Sequence, residues 1–274
     1  MIISIVTPTL NASRYIGQCI DSVRANSCPG VEPEHVIVDG GSTDATLEIA
    51  HAKRVRVLTG KDAGIFDAIN KGSFASSGVL LGFLGADDLL LEGALGAIAK
   101  QYRRGQPRWI SGGVRYIDAR GNYLATVSPP PNWMGHRMFA CLGGPCLSHQ
   151  ATYLAREFFE ELRGFDLTFK VAGDFELFAR ALSRCPYRRI PRALAAYRLT
   201  GMNFNIVEKV RGTSECARIR DTFAPKPAAQ RLLYRTALRL WINATNPRWL
   251  VRKRQAWNVA GLSKNEPTIE IREG

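Results

Sequence analysis

Several features that would assign this chain to a familiar class are absent from its sequence. Its six cysteines, at positions 19, 28, 141, 146, 185 and 216, form no C-x-x-C pair and show no His/Cys metal spacing. This pattern favours reduced thiols and a cytosolic protein. No uninterrupted apolar run approaches the roughly 18 residues that cross a bilayer. The N-terminus opens directly into a strand pattern, without the basic segment of a signal peptide. We therefore expect a cytoplasmic protein.

Two phosphate-binding motifs are also missing. There is no G-x-x-x-x-G-K-[ST], and no G-x-G-x-x-G follows the first predicted strand. The main signals of a P-loop ATPase and of a Rossmann dehydrogenase are thus absent. The segment after the first strand, P-T-L-N-A-S-R, also lacks the glycines of a nucleotidyltransferase loop, which remains the alternative enzyme class. The net charge of +13 predicts an acidic partner, which could be a nucleotide, a nucleic acid or an anionic lipid.

Strands and helices alternate through the first hundred residues. The apolar, β-branched runs that predict buried strands are residues 2–7, 36–38, 55–58 and 79–84. Helical patterns follow each of them, the fourth over residues 89–102. The sequence therefore predicts an α/β fold with a mostly parallel sheet and helices on both faces.

The second half of the sequence is less regular. We expect a hairpin over residues 109–127, a long functional loop over 128–146, an amphipathic helix over 175–183 and a strand over 189–197.

Acidic residues follow three successive predicted strands. Asp39, Asp62 and the pair Asp87–Asp88 lie just past strand ends, and ligands of such sheets bind at that edge. Two adjacent carboxylates at the end of a buried strand are costly to keep ionised alone, and a divalent cation is their usual partner. The alternative is that Asp87 or Asp88 only caps the helix predicted to follow. The pattern indicates a nucleotide and metal site.

Several longer motifs occur together and in a fixed order. They are S-I-V-T-P-T-L-N (4–11), V-I-V-D-G-G-S-T-D-A-T (36–46), D-A-G-I-F-D-A-I-N-K-G (62–72), F-L-G-A-D-D (83–88), H-Q-A-T-Y (149–153), G-F-D (164–166) and G-D-F-E-L-F-A-R (173–180). In these motifs the chain resembles the inverting family-2 glycosyltransferases with the GT-A fold. Within that family it is similar to the enzymes that build bacterial cell-surface polysaccharides or glycolipids.

The resemblance implies a donor-binding set. Asp39 would hold the nucleotide base, and Asp62 would lie close to the nucleotide and position Asn70 or Lys71 near the phosphates. The further nucleotide-sugar-binding positions that it implies are Pro8, Thr9, Leu10, Asn11, Gly64, Ala86 and Asp87.

The same resemblance implies a metal ligand and a base. Ala86-Asp87-Asp88 occupies the place of the family's D-x-D, so Asp88 would bind Mn²⁺ or Mg²⁺. Asp174 would be the catalytic base, although an acidic residue at a helix start can also simply compensate the dipole. Gly173 stands where the family often has Glu.

His149 and Gln150 are candidates to contact the acceptor or to support the site, and a core histidine is the alternative for His149.

The implied reaction is a metal-dependent single displacement from a nucleotide-diphosphate donor. UDP-sugar is the first choice, with GDP and dTDP as alternatives, and the acceptor would be a saccharide or a lipid-linked hydroxyl. We divide the chain into a catalytic domain over 1–224, with a nucleotide-sugar half (1–110) and an acceptor half (111–224), and a basic helical extension over 225–274.

The extension carries most of the positive charge. Residues 225–264 contain nine Lys/Arg and no Asp or Glu, with Arg231, Arg235 and Arg239 at four-residue spacing beside leucines and tryptophans. This composition predicts either an interfacial helix on the inner face of the cytoplasmic membrane or a helix that packs on the catalytic domain. The base-stacking aromatic patterns of RNA-binding domains are missing, so no nucleic-acid partner is expected.

Overall fold

Four parallel strands form the first half of a single sheet in the computed structural model, which describes residues 1–131, 133–142, 147–201, 203 and 208–245. The elements of this half are β1 (Ile2–Thr9), α1 (Ile16–Arg24), β2 (Glu32–Asp39), α2 (Thr46–Ala52), β3 (Arg56–Thr59), α3 (Ile65–Ala75) and β4 (Leu80–Phe83). β1 pairs in parallel with β2 and β4, and β2 pairs in parallel with β3. The predicted strand and helix alternation is confirmed here.

The second half of the sheet is mixed. Its elements are β5 (Leu89–Leu90), α4 (Ala94–Arg103), β6 (Trp109–Asp118), β7 (Tyr123–Val127), α5 (His136–Leu142), β8 (Thr152–Ala155), α6 (Arg156–Glu161), α7 (Gly173–Arg184), β9 (Arg188–Leu199), α8 (Lys209–Phe223) and α9 (Ala228–Thr245). β8 lies antiparallel between β4 and β6, while β6 and β9 are parallel. The nine strands of the described sheet follow the order β3-β2-β1-β4-β8-β6-β9-β5, with β7 beside β6.

The apolar strands are covered on both faces. Ile3 and Ile5 of β1 join a buried cluster with Leu95 of α4, whereas Val6 joins Ile69 of α3 in a cluster on the other side. Because successive residues of a strand point to opposite faces, an uninterrupted apolar run needs a cover on each side, and these helices supply it. Helices on both faces of an α/β sheet are therefore confirmed.

Two sequence-based expectations are wrong. The helix predicted over 89–102 begins only at Ala94, because Leu89 and Leu90 pair with β9 as the short edge strand β5. Neither Asp87 nor Asp88 therefore caps that helix. The loop predicted over 128–146 contains α5, whose Phe139 is buried against α7 with its ring centroid 5.1 Å from that of Phe175.

The structure also bears on two features of the extension. In the described part of the chain, no helix combines the length and the apolar character that crossing a membrane requires. Trp249 and Trp257, two tryptophans of the basic extension, lie outside the described residues.

Candidate active site

The end of β2 forms a turn around a buried carboxylate. Asp39 accepts hydrogen bonds at Oδ2 from the backbone N–H groups of Gly41 (2.9 Å) and Ser42 (2.8 Å), and the Ser42 hydroxyl donates to Oδ1. Gly41 has φ 103°, a left-handed conformation in which side chains are strained. The turn holds Asp39 at the sheet edge.

The loops after β1 and β2 are bonded to each other. Asn11 donates its backbone N–H to Ser42 Oγ (2.9 Å), and its own Oδ1 accepts the N–H of Thr43 (2.8 Å). Pro8 and Thr9 pair with Val38 and Asp39 in register, and Leu10 is exposed. The structure thus brings the 8–11 segment and Asp39 together at one rim, as the resemblance implies.

Asp62 lies beside this turn and contacts a lysine. A Cβ on Gly40 would lie 3.4 Å from Asp62 Oδ2. Lys71 Nζ donates to Asp62 (2.7 Å) and to the Lys61 carbonyl (2.8 Å), and pairs with Asp67 (2.9 Å). The hydrogen bonds that Lys71 donates to Asp62 and Asp67 raise the pKa of Lys71. All three donors of the ammonium are engaged, so Lys71 fixes the position of Asp62.

The side chain of Asn70 binds the backbone of a different segment, at Phe165. Its Nδ2 donates to the Phe165 carbonyl (2.9 Å) and its Oδ1 accepts the Phe165 N–H (2.9 Å). Of the two residues that Asp62 was expected to position, only Lys71 is bonded to it. Gly64, with φ 124°, precedes α3, and Lys170 donates to the adjacent Ala63 carbonyl (2.9 Å).

Asp88 is a buried carboxylate that accepts hydrogen bonds from neutral donors. It is 1% exposed and accepts the backbone N–H of Arg198 (2.9 Å) and Nε2 of Gln150 (2.8 Å). Burial, and then the charge of Asp87, raise its pKa to about 7. A Cβ on Gly85 would approach Asp88 Oδ2 to 2.7 Å, so glycine is needed for the carboxylate to fold back over this turn. Ala86 faces the apolar cluster around Ile16.

Asp87 is surrounded by two residues that the sequence analysis did not assign. Arg198, which is buried, donates Nε to the Asp87 carbonyl (2.8 Å) and Nη2 to Gln18 Oε1 (3.0 Å), with its guanidinium 4.6 Å from the centroid of the Tyr15 ring. Asn203 Nδ2 contacts Asp87 Oδ2 at 3.3 Å. Burial raises the pKa of Asp87, against the lowering effect of the Arg198 charge. The sequence feature that could have identified Arg198 is a single arginine at the end of the apolar segment A-L-A-A-Y-R.

His149 and Gln150 connect the base candidate to the carboxylate pair. His149 Nδ1 lies 3.3 Å from Asp174 Oδ2 in the first turn of α7, while Gln150, the next residue, binds Asp88. Burial disfavours the charged imidazole, but the hydrogen bond and charge of Asp174, followed by the charges of Asp88 and Asp87, raise the pKa of His149. His149 is therefore a half-buried site residue rather than a histidine of the apolar core.

The base candidate is held in place by its neighbours. Asp174 Oδ1 accepts the N–H of Phe175 (2.7 Å). A Cβ on Gly173 would lie 2.6 Å from the ring of Phe66, so a Glu at that position has no room in this chain.

The carboxylate pair fits a divalent cation. Within the described residues, no group of three or more His, Cys, Asp and Glu forms a metal cage. Asp87 and Asp88 are oxygen donors, which Mg²⁺ and Mn²⁺ prefer, and such ions often complete their shell with substrate phosphates. Burial raises the pKa of both carboxyl groups, and a bound divalent cation would favour their charged forms.

Comparisons with known proteins agree with this arrangement. The family model of glycosyl transferase family 2 matches residues 4–163. A PGL/p-HBAD biosynthesis glycosyltransferase of Mycobacterium bovis is 31% identical over 188 residues, which are 66% of this chain and 69% of that protein.

Two solved structures share the fold at low sequence identity. Staphylococcus aureus TarS (residues 1–349) in complex with UDP-GlcNAc aligns with a TM-score of 0.58 at 15% identity, over 95% of this chain and 82% of that one. Glucosyl-3-phosphoglycerate synthase of Mycobacterium tuberculosis, in complex with Mn²⁺, UDP and glucosyl-3-phosphoglycerate, aligns with a TM-score of 0.54 at 19% identity, over 82% and 81%.

The chain therefore has a GT-A-like fold, with a mixed α/β sheet and flanking helices. The chain belongs to glycosyl transferase family 2, and it is a glycosyltransferase.

Proposed function

We propose that this enzyme transfers a sugar from a nucleotide-diphosphate donor to a hydroxyl group with inversion at the anomeric carbon. The observation that carries the proposal is the pair His149–Gln150, whose side chains contact Asp174 and Asp88 respectively. Two adjacent residues thereby connect Asp174, the proposed base, with Asp88, the proposed metal ligand. A base and a leaving-group site without an enzyme nucleophile imply one displacement, hence inversion.

The donor would bind along the rim of β1 and β2. Asp39 would accept a hydrogen bond from the base, in the groove between the 8–11 loop and Asp62. Lys71 would act through Asp62, because all its donors are engaged within the protein. UDP-sugar is the proposed donor class; TarS and the glucosyl-3-phosphoglycerate synthase are described with UDP-GlcNAc and UDP.

Asp88 would hold Mn²⁺ or Mg²⁺, with Asp87 directed to the ribose or the donor sugar. The cation, when bound, neutralises the charge that grows on the leaving diphosphate. Asp174 Oδ2 would take the proton of the attacking hydroxyl, with His149 fixing the orientation of that carboxylate. Gln150 and the Arg198 N–H hold Asp88 so that its position is set before the donor arrives.

The acceptor would be a saccharide or a lipid-linked hydroxyl in polysaccharide or glycolipid biosynthesis. The mycobacterial relative is likewise named as a biosynthesis glycosyltransferase. We assign donor binding to residues 1–110, acceptor binding to 111–224 and surface attachment to 225–274. We also propose that the enzyme is cytoplasmic and lies peripherally on the inner face of the membrane. We expect no nucleic-acid partner.

A panel of UDP-, GDP- and dTDP-sugars with Mn²⁺ or Mg²⁺ tests the function. We expect metal-dependent release of one nucleoside diphosphate and a product whose anomeric configuration, read by NMR, is opposite to that of the donor. Retention of configuration would disprove the single displacement. Turnover of free NTPs in place of nucleotide-sugars would favour the nucleotidyltransferase alternative.

A further inference from the structure

Helix α9 is anchored to the catalytic domain along one narrow line. Leu238 is buried, and the half-buried Tyr234, one turn earlier, packs against the small cluster of Ala140, Cys141 and Ala224. Residues four apart lie above one another on a helix. Only one side of α9 is therefore used for packing.

Three leucines of α9 face away from that line. Leu232, Leu233 and Leu240 are 67%, 64% and 65% exposed. At 3.6 residues per turn, positions 232 and 240 fall on the side opposite Leu238. An exposed apolar strip of this kind is typical of an interaction surface.

A row of cations borders the leucines. Arg231, Arg235 and Arg239 are exposed and, at four-residue spacing, line the edge between Leu238 and the outer leucines. None of the three forms an ion pair with a carboxylate in the described part of the chain. Residues 225–264 offer no Asp or Glu at all. The described outer surface of α9 therefore carries apolar and cationic side chains and no acidic one.

We infer that the outer surface of α9, formed by Arg231, Leu232, Leu233, Arg235, Arg239 and Leu240, docks on an anionic lipid membrane. The leucines would enter the headgroup–acyl boundary and the arginines would contact acidic headgroups. A second copy of this chain fits less well, because a symmetric contact would oppose two acid-free cationic helices. Nucleic acid would leave the leucines in water.

The position of α9 gives this docking a consequence for the proposed reaction. α9 packs on α5, and α5 packs on α7 through Phe139 and Phe175. Phe175 follows Asp174 directly. The membrane surface would thus be connected through two helix contacts to the base, on the acceptor side of the site. Docking itself does not depend on the proposed function, whereas the delivery of a lipid-linked acceptor does.

Vesicle flotation of the full chain tests the docking. We expect binding to vesicles of phosphatidylcholine with about one-third phosphatidylglycerol, no binding to phosphatidylcholine alone, and weaker binding as salt rises. Each arginine near the surface is worth about fivefold in affinity. The triple variant Arg231→Gln/Arg235→Gln/Arg239→Gln should therefore lose on the order of 100-fold.

Two further variants separate docking from simple charge attraction. Lys100→Gln/Arg104→Gln/Arg184→Gln removes three exposed cations elsewhere and should leave binding within about twofold. Leu232→Ser/Leu240→Ser should weaken binding at high salt most, where the apolar contribution dominates. Equal losses in the two triple variants, or full binding by the leucine variant, would overturn the assignment.

The remaining outcomes are equally decisive. If the full chain does not bind anionic vesicles at low salt, membrane docking is excluded. If the full chain is a dimer without lipid and the leucine variant is a monomer, the surface would be assigned to a second copy of the chain. Transfer to a soluble acceptor should be unchanged in the α9 triple variant. If the unaltered chain transfers a sugar from none of the nucleotide-sugars, that result would count against the proposed function alone.

Discussion

We expect Glu215 of α8 to hold the base candidate Asp174 in position through the backbone segment that precedes α7. Its buried carboxylate accepts three backbone hydrogen bonds, from Lys170 N–H at Oε1 (2.8 Å) and from the N–H groups of Val171 and Ala172 at Oε2 (2.9 Å each). These N–H groups belong to the segment that enters α7, two residues before Asp174. A helix start leaves its first N–H groups without intrahelical partners, and here a side chain from another helix supplies them.

The variant Glu215→Gln should lose most of this support. The amide keeps the shape of the side chain, but its NH₂ group would face one or two of the backbone N–H donors that the carboxylate now accepts. Each buried donor left unpaired costs about 1–3 kcal/mol. Two such donors give a loss of roughly 2–5 kcal/mol in the free energy of unfolding. Relaxation of the segment moves Asp174, and a displacement of about 1 Å at a reacting group can cost on the order of 100-fold in rate.

Steady-state kinetics and thermal unfolding check this prediction together. We expect kcat to fall about 10- to 100-fold while the KM for the donor changes little, since Glu215 lies on the side of α7 and not of Asp39. Glu160→Gln, which removes an exposed carboxylate of α6, is the matched control and should behave like the unaltered chain.

The pH dependence supplies a second check. Burial opposes ionisation of Glu215, but the N–H groups of Ala172, Lys170 and Val171 together lower its pKa below 4.5. A depressed carboxylate stabilises the fold above its unfolded pKa, and this contribution is lost as pH falls through the folded value. The stability difference between the unaltered chain and Glu215→Gln should therefore be constant above about pH 5 and shrink below pH 4.5. Unchanged kcat in a destabilised Glu215→Gln variant would refute the positioning role.

Three further predictions concern the site itself. Asp174→Asn should lower kcat by about 10²- to 10⁴-fold with donor affinity retained, and near-normal turnover at saturating acceptor would exclude it as the base. Asp88→Asn should abolish metal-dependent nucleotide binding, measured by calorimetry. Because burial raises the folded pKa of Asp88 from 3.8 to about 7, ionisation of this carboxylate costs stability as pH rises between those two values. The melting temperature of the metal-free unaltered chain should therefore fall more over this pH range than that of Asp88→Asn. Gly173→Ala should cost about 1–3 kcal/mol through its contact with Phe66 and reduce activity, whereas Gly105→Ala, with no atom within 4 Å, should do neither.

The parallel half of the fold was accessible from the sequence because local signals were sufficient there. Continuous apolar runs give buried strands, and acids that follow them must meet at one edge of a parallel sheet. Asp39, Asp62 and Asp88 are found at strand ends for that reason. The pairing of Leu89 and Leu90 with β9 was not accessible, since two leucines before a helical pattern extend the helix unless a strand more than a hundred residues away competes for them.

The surroundings of the site depended on contacts that no local pattern encodes. Arg198 lies 111 residues from Asp87 in the chain and binds its carbonyl oxygen rather than its carboxylate. Asn70 stands in a motif associated with the nucleotide, yet its side chain is bonded to the backbone of Phe165, 95 residues later. Sequence motifs identified Asn70 as a candidate site residue but not Arg198, and they indicated the contacts of neither.

The distribution of donors around Asp87 and Asp88 explains why the site remains able to take a cation. The nearest cation, the Arg198 guanidinium, is directed to the Asp87 carbonyl, to Gln18 and to the Tyr15 ring. Among the described residues, the hydrogen-bond donors to the two carboxylates are neutral and come from Gln150, Asn203 and the Arg198 backbone. Had Arg198 formed an ion pair with Asp88, the pKa of that carboxylate would be low and a divalent ion would have to displace a guanidinium. Neutral donors instead fix the position of the Asp88 carboxylate. Burial and the charge of Asp87 raise its pKa, and a divalent cation bound there would favour the charged form.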